Sequence, residues 1–261
     1  MVKQKVAASV LELIGETPLV KVPSLSQATG CNILLKCENQ NPGGSVKDRA
    51  ALMMIREAEK SGALKKGMTI VEGTAGNTGI GLALVGRALR YKVLVVMPKG
   101  QAQEKERMVT LFGGELKLVD PCPFANPNHF YHTAGRIGEE APEQYWWANQ
   151  FENLGNFRAH YTGTGPEIWE ATAGQVDAVV SVAGTGGTIA GVSRFLKEKN
   201  SKIQVHLVDP EGSGLCAHFH QGEFRAEGSS ITEGIGIMRL VANFAEAKVD
   251  DAFTVKDDKV V

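Results

Sequence analysis

Short apolar runs alternate along this chain with stretches of helical spacing, and that alternation constrains the fold more than any other feature. Runs rich in β-branched or apolar residues fall at 33–36, 69–72, 93–97, 116–119, 145–148, 178–182, 204–208 and 252–255. Between most of them apolar residues recur every three or four positions, at 46–60, 77–90, 101–112, 128–139, 164–173 and 188–199. Strand followed by helix, repeated, predicts an α/β fold with mostly parallel sheets and right-handed crossovers. The strands between 69 and 148 form one compact unit in this reading. Those at 178–208 and 252–255 form another, to which the N-terminal segment returns. Pro and Gly punctuate the middle at Asp120-Pro-Cys-Pro-Phe-Ala-Asn-Pro127, and there is no internal repeat or low-complexity linker. After the last strand, 256–261 brings no closing helix, an ending that a natural domain and a shortened one share.

Glycine is abundant, 30 of 261 residues, against a usual share of about 7%. With only ten prolines and no glycine period, a collagen-like chain is excluded, so the surplus belongs to turns or ligand loops. The formal charge is −1, from 28 basic and 29 acidic residues without like-charged blocks. A basic face for nucleic acid or a polybasic membrane anchor is therefore not expected. No apolar run approaches the roughly 18 residues of a membrane span. The start, MVKQKVAASVLELIG, has an apolar stretch broken by Glu12 and reads as part of the mature fold, not a signal peptide. Cys31, Cys37, Cys122 and Cys216 show no CxxC spacing and no disulfide framework, which points to a reducing cytoplasm.

Three segments carry candidate chemistry, and each follows a strand, where open α/β sheets gather ligands. In Asn41-Pro-Gly-Gly-Ser-Val-Lys-Asp-Arg49, Pro-Gly-Gly is a turn, Ser45 is a good N-cap and Val46 begins a helix. Lys47 falls in the first turn, where the helix dipole disfavours a cation and makes the amine a better nucleophile. The plain alternative is a solvated lysine paired with Asp48. In Glu72-Gly-Thr74-Ala75-Gly76-Asn77-Thr78-Gly79, hydroxyls, an amide and successive N–H groups at a helix start suit a carboxylate, or serve only a tight turn. In Gly184-Thr185-Gly186-Gly187-Thr188, small N–H-rich residues suit a phosphate, or serve packing. Ile189 stands where GxGxxG needs its third glycine, so the pattern suggests a lone phosphate and not a dinucleotide. Weaker signals are Asn149-Gln150-Phe-Glu-Asn153 after a strand, and Thr232-Glu233-Gly234-Ile-Gly236, whose glycines admit a flat ring. Cys216-Ala-His218-Phe-His220 is a poor metal set, with no HExxH or CxxC around it.

A reactive lysine, a lone-phosphate cup and a carboxylate loop together suggest pyridoxal 5′-phosphate. The chain resembles the fold-type II pyridoxal-phosphate enzymes, and within them the cysteine synthase/cystathionine β-synthase family. The resemblance rests on Gly15-Glu-Thr-Pro-Leu-Val20, the Asn41–Arg49 segment, Thr74-Ala-Gly-Asn-Thr-Gly79, Gln150-Phe-Glu-Asn153, His160-Tyr161 with Thr164-Gly-Pro-Glu-Ile-Trp169, and Gly184–Thr188, in the family's order over essentially the whole chain. It implies a larger phosphate-binding domain at 1–40 and 149–261, incomplete at its C-terminus, and a smaller mobile domain at 41–148. It implies that Lys47 holds the cofactor as an aldimine and serves as acid–base. Asn77 then meets the cofactor's ring oxygen, and Gly184, Thr185, Gly186, Gly187 and Thr188 hold its phosphate. Gly234 lies beside the ring, and Thr74, Ala75, Gly76, Thr78 and Gln150 grip the substrate carboxylate.

The implied reaction is β-replacement: O-acetyl-L-serine plus sulfide gives L-cysteine and acetate through an α-aminoacrylate. Three alternatives stand beside it. One is a cystathionine β-synthase-like enzyme with another thiol acceptor. A serine or threonine dehydratase fits the Thr-Ala-Gly-Asn-Thr segment less well. The third, from a different class, is a catalytically weak homologue binding a partner's C-terminal peptide. A homodimer and a serine acetyltransferase C-terminus as partner are also implied. Two departures stand out. Ala75 replaces a serine common in the family, and the C-terminal region that meets the pyridine nitrogen has no counterpart here.

Overall fold

The computed structural model describes residues 6–259, so the first five residues of the N-terminal stretch and the last two of the chain lie outside the described residues. In chain order the elements are β1 (Leu19–Lys21), α1 (Pro23–Thr29), β2 (Leu34–Lys36), α2 (Lys47–Ser61), β3 (Thr69–Gly73), α3 (Asn77–Ala88), β4 (Lys92–Pro98), α4 (Gln103–Leu111), β5 (Glu115–Val119), α5 (Phe130–Glu140), β6 (Tyr145–Trp147), α6 (Gly155–Ala159), α7 (Gly165–Ala171), β7 (Ala178–Val182), α8 (Gly187–Lys199), β8 (Gln204–Pro210), α9 (Leu215–Gln221), α10 (Ala242–Ala245) and β9 (Asp251–Val255).

The apolar runs between 69 and 148 pair as a wholly parallel sheet in the order β5-β4-β3-β6. Its middle strands are apolar almost throughout, as parallel strands covered on both faces must be. Helix α3 explains much of that cover. Every residue from Thr78 to Gly86 is buried, and Gly79 lets the helix press against Val95. Met54, Ile55, Ile70, Leu82 and Met97 are fully buried between α2, α3 and the sheet. Each such side chain contributes roughly 1.5–3 kcal/mol by leaving water.

A second parallel sheet has the order β7-β8-β9, with Ile189, Val205, Leu207 and Leu215 in its core. Its other face leaves Val180, Val182 and Phe253 exposed. The N-terminal strands do not return to this sheet, contrary to expectation. β1 and β2 pair antiparallel with each other. Both are three residues long and neither has a buried position, so they bring no apolar face for the sheet to bury. Gly30, at φ 69°, ends α1 in the left-handed conformation and turns the chain back.

Helix α2 begins at Lys47, one residue later than expected, and Ser45 still caps it, its Oγ accepting from the Lys47 N–H at 3.2 Å. Gly62, at φ 77°, terminates it. The loops leaving β3 and β7 enter α3 and α8, so both glycine-rich segments open at carboxyl ends of strands.

Candidate active site

Helices α2, α3 and α8 all present their N-termini to one cavity of about 620 Å³. Three helix starts facing one space give an electropositive site before any side chain is counted. Among the expected site residues, Lys47, Thr74, Ala75, Gly76, Asn77, Thr78, Gln150, Gly184, Thr185, Gly186, Thr188 and Gly234 line this cavity. Gly187 does not. It is buried behind the turn, where a Cβ would collide with the Asn156 carboxamide. The Asn77 side chain is exposed to the cavity, whereas Thr74, Thr78, Gln150 and Thr185 are buried.

Lys47 forms no ion pair among the described residues. Asp48 is not its partner: Asp48 Oδ2 accepts from the Gly43 N–H at 2.5 Å, and Oδ1 is buried without a hydrogen-bond partner. Desolvation holds the Lys47 amine below the ordinary lysine range, the direction that a helix start also favours.

The turn 184–188 is built by close backbone approach. Gly186, at φ 83°, leaves 2.6 Å between an added Cβ and the Phe244 Cα. A Cβ on Gly184 would collide with the Gly234 carbonyl. Neighbouring side chains set the hydroxyls. Asn156 Nδ2 donates to Thr185 Oγ1 at 2.9 Å and to the Gln150 carbonyl at 2.9 Å. With both Asn156 protons committed, Thr185 accepts there and its own proton is free to donate into the cavity. Thr188 Oγ1 lies 3.2 Å from His160 Nε2, and His160 Nδ1 lies 2.8 Å from Thr164 Oγ1. Burial first, then the Arg49 charge, pushes His160 down to about 3, so it is a neutral imidazole. His160 and Thr164 are the first and last residues of a π-helical turn, and both are buried.

The loop 74–76 is arranged for an anion as well. Thr74 Oγ1 accepts from the Gly76 N–H at 3.2 Å, which leaves its proton for the cavity. The Thr78 hydroxyl donates to Gln150 Oε1 at 2.5 Å. Asn149, at φ 48°, holds a left-handed conformation unusual for a non-glycine residue just before Gln150. Ala75 lacks a hydroxyl, and the backbone donors beside it remain.

Several lining residues were not assigned from sequence. Phe130 and Phe151 supply apolar wall. Lys105 of α4 and Glu233 of the loop before Gly234 form a close ion pair, and both line the cavity. Lys105 had a local signal, a cation in the first turn of a helix after a strand. Phe130 had none. Cys216, His218 and His220 do not converge: His220 Nε2 bonds the Ala252 carbonyl at 2.9 Å and His218 stacks on Phe224. Among the described residues no cluster of metal-ligating side chains forms.

Residues 10–261 match the family model described as pyridoxal-phosphate dependent enzyme. A cysteine synthase 1 from Neurospora crassa is 47% identical over 99% of this chain and 70% of its own length. The chain belongs to the pyridoxal-phosphate dependent enzymes. A cysteine synthase from Dictyostelium discoideum is 43% identical over 98% of this chain and 70% of its own. A rat cystathionine beta-synthase is 39% identical, with 46% of its length covered. The crystal structure of a hydrogen sulfide-producing enzyme from Fusobacterium nucleatum superposes with a TM-score of 0.84 at 35% identity, covering 97% of this chain and 82% of that one. The chain therefore spans about 70% of the length of the two cysteine synthases compared here.

The family's cofactor is pyridoxal 5′-phosphate, and the residues present fit it. An uncommitted amine, a glycine turn whose Gly184 packs directly on the Gly234 backbone, and a free hydroxyl proton on Thr185 all line one cavity. Among the described residues no helix is long and apolar enough to cross a membrane.

Proposed function

We propose that this protein is a pyridoxal-phosphate-dependent cysteine synthase, converting O-acetyl-L-serine and sulfide into L-cysteine and acetate. The observation that carries the reading is that Lys47 opens into the same cavity as two hydroxyl-bearing helix starts, one suited to a phosphate and one to a carboxylate. The comparisons with named cysteine synthases support it.

In this reading Lys47, Asn77, Gly234 and the turn 184–188 hold the cofactor, with Gly187 packing behind the turn. When bound, pyridoxal phosphate supplies an electron sink that acidifies the α-proton and lets the β-acetoxy group leave. The Thr74 hydroxyl, the N–H groups of the 74–78 loop and Gln150 fix the substrate carboxylate, which orients the Cα–H bond toward Lys47. Once the substrate amine has taken its place on the cofactor, the freed Lys47 Nζ would take the α-proton, and its lowered basicity leaves more of it neutral for that task. The C–O bond to acetate breaks, sulfide forms the new Cβ–S bond, and the α-proton returns. Helix N-termini around the cavity stabilise the anionic groups without reorganising.

The division into domains at 1–40 with 149–261 and at 41–148, with closure of the second over the substrate, belongs to this proposal. So do a homodimer, a cytoplasmic location, and docking of an acetyltransferase C-terminus. The loop that takes an amino-acid carboxylate is suited equally to a peptide's terminal carboxylate. Sedimentation and titration with such a peptide test the last points.

The primary test is the visible spectrum of the protein with pyridoxal phosphate, before and after O-acetyl-L-serine, followed by sulfide or homocysteine. A visible band lost in Lys47→Ala, shifted by O-acetyl-L-serine and restored by sulfide supports the reading. Restoration by homocysteine alone replaces it with a cystathionine-forming activity. A band that survives in Lys47→Ala refutes the assignment of Lys47.

A further inference from the structure

Glu72 is the fourth residue of β3 and has no exposed surface. A carboxyl this deep is rare without a charged partner. None of the ion pairs among the described residues includes it. Its side-chain partner is Gln150, whose Nε2 donates to Glu72 Oε1 at 3.1 Å, while Glu72 Oε2 has no hydrogen-bond partner. Burial pushes this acid up to about 8, and the hydrogen bonds from Gln150 pull the other way. Packing alone accounts poorly for it. An apolar side chain like its neighbours Ile70 and Val71 would fill the space without desolvating a carboxyl.

The contact matters for what Gln150 can do. A carboxamide turned by 180° exchanges its donor and acceptor ends. With its nitrogen toward Glu72 and its oxygen accepting from Thr78, Gln150 keeps a second N–H uncommitted to either neighbour while it lines the cavity. The turned amide would release the Thr78 hydroxyl and set its oxygen against Glu72 Oε1, a contact that becomes a hydrogen bond only if a Glu72 proton sits on that oxygen and not on the unpartnered Oε2. The Gln150 backbone is independently fixed, its carbonyl accepting from Asn156 and Asn243. The orientation of the side-chain amide is therefore set by its two neighbours, Thr78 at the oxygen and Glu72 at the nitrogen.

We propose that Glu72 is a positioning residue for the amino-acid substrate: by holding Gln150 Nε2 it fixes which face of the Gln150 amide meets the substrate carboxylate. The inference rests on the reading of this cavity as an amino-acid site. It adds a residue that contacts neither substrate nor cofactor and acts through Gln150.

The test uses the pyridoxal-phosphate-loaded enzyme and two readouts. One is KM and kcat for O-acetyl-L-serine. The other is the calorimetric dissociation constant of L-alanine, which has the carboxylate and amine but no leaving group. Glu72→Met removes the acceptor. KM and the L-alanine dissociation constant should both rise about tenfold, with kcat within about threefold of the parent. Glu72→Gln keeps an oxygen that accepts from Gln150, and should stay within about threefold on both. In a Gln150→Ala background, Glu72→Met should add less than about twofold. A Glu72→Met loss that persists in full without Gln150, a Glu72→Gln variant as impaired as Glu72→Met, or unchanged L-alanine affinity overturns the proposal. Glu72→Leu, of different shape, replaces Glu72→Met if that variant does not fold. A parent that binds L-alanine but does not turn over O-acetyl-L-serine refutes the activity and leaves the positioning role decided by L-alanine. A parent that binds neither refutes both.

Discussion

Replacing Glu167 by Gln should cost about 2 kcal/mol of stability at neutral pH, and the cost should fade in acid. Glu167 on α7 gathers four donors from three other places in the chain. Arg49 of α2 gives Nη1 to Oε1 at 2.6 Å and Nη2 to Oε2 at 2.7 Å. Lys36 of β2 gives Nζ to Oε2 at 2.6 Å, and the Glu16 N–H reaches Oε1 at 3.0 Å. Arg49 also grips Glu38 through Nε at 2.7 Å and Nη2 at 2.8 Å, and the Arg49 side chain is only 5% exposed. Burial works to raise Glu167, but the Arg49 and Lys36 hydrogen bonds win and bring it from 4.5 down to about 2. That difference corresponds to roughly 3 kcal/mol at ~1.4 kcal/mol per pH unit, trimmed to about 2 for the fifth of the side chain that solvent reaches. A depressed carboxylate stabilises fully above its unfolded value and loses that contribution as pH falls through the folded one. Parent and Glu167→Gln should thus differ by a constant amount from pH 7 to about 5, and converge below 4.5 toward 2. Urea unfolding at pH 7, 5 and 4, with thermal melts expected to differ by roughly 4–8 °C at pH 7, measures this. A gap under about 0.5 kcal/mol at pH 7, or one that widens in acid, refutes the reasoning.

Gly184→Ala should weaken pyridoxal phosphate binding by tenfold or more, because its Cβ would displace the Gly234 backbone that also lines the cavity; titration of the visible band reads this, and unchanged affinity would show that this backbone yields without disturbing the site. Breaking the ion pair at the cavity with Lys105→Ala should speed hydrogen exchange across 230–236, and protection equal to the parent's would deny the pair any role in holding that loop. His160 is neutral in the fold, with its proton affinity lowered to about 3, so an unfolded chain captures a proton there first as pH drops below 6.5. Its contribution should be lost between about 6.5 and 3, and the urea midpoint of His160→Gln should fall less from pH 7 to 5 than the parent's does.

Much of the site was legible because its parts are local. A glycine-rich turn between a strand and a helix announces itself in a dozen residues, and the segments at 47, 74–78 and 184–188 all meet at one cavity. Gly187 shows the limit of that reading. Its neighbours face the cavity, yet its own absence of a side chain answers to Asn156 behind the turn. The N-terminal strands show another. The run at 33–36 says that a strand forms but not which edge it finds, and β2 pairs with β1, a strand the sequence reading did not mark.

What local reading could not reach is the polar layer behind the first. In a strand with one solvated face, the Glu of Ile70-Val-Glu-Gly73 would point to water. But β3 lies between β4 and β6 with helices over it, and no residue from Ile70 to Gly73 is exposed, so the alternation that places Glu outside does not apply. The same holds for Asn156 and His160, each of which reads as an ordinary helical polar residue until Gly187, Thr185 and Thr188 are brought against it. These contacts decide which protons are left over. Asn156 spends both of its own and frees that of Thr185, while Gln150 takes that of Thr78 and owes its orientation to Glu72. The cavity's donor pattern is thus set by residues that mostly do not line it. It follows that substitutions in that buried polar layer, conservative in size, should alter ligand affinity more than substitutions of exposed lining residues such as Asn77 or Glu233 alter stability.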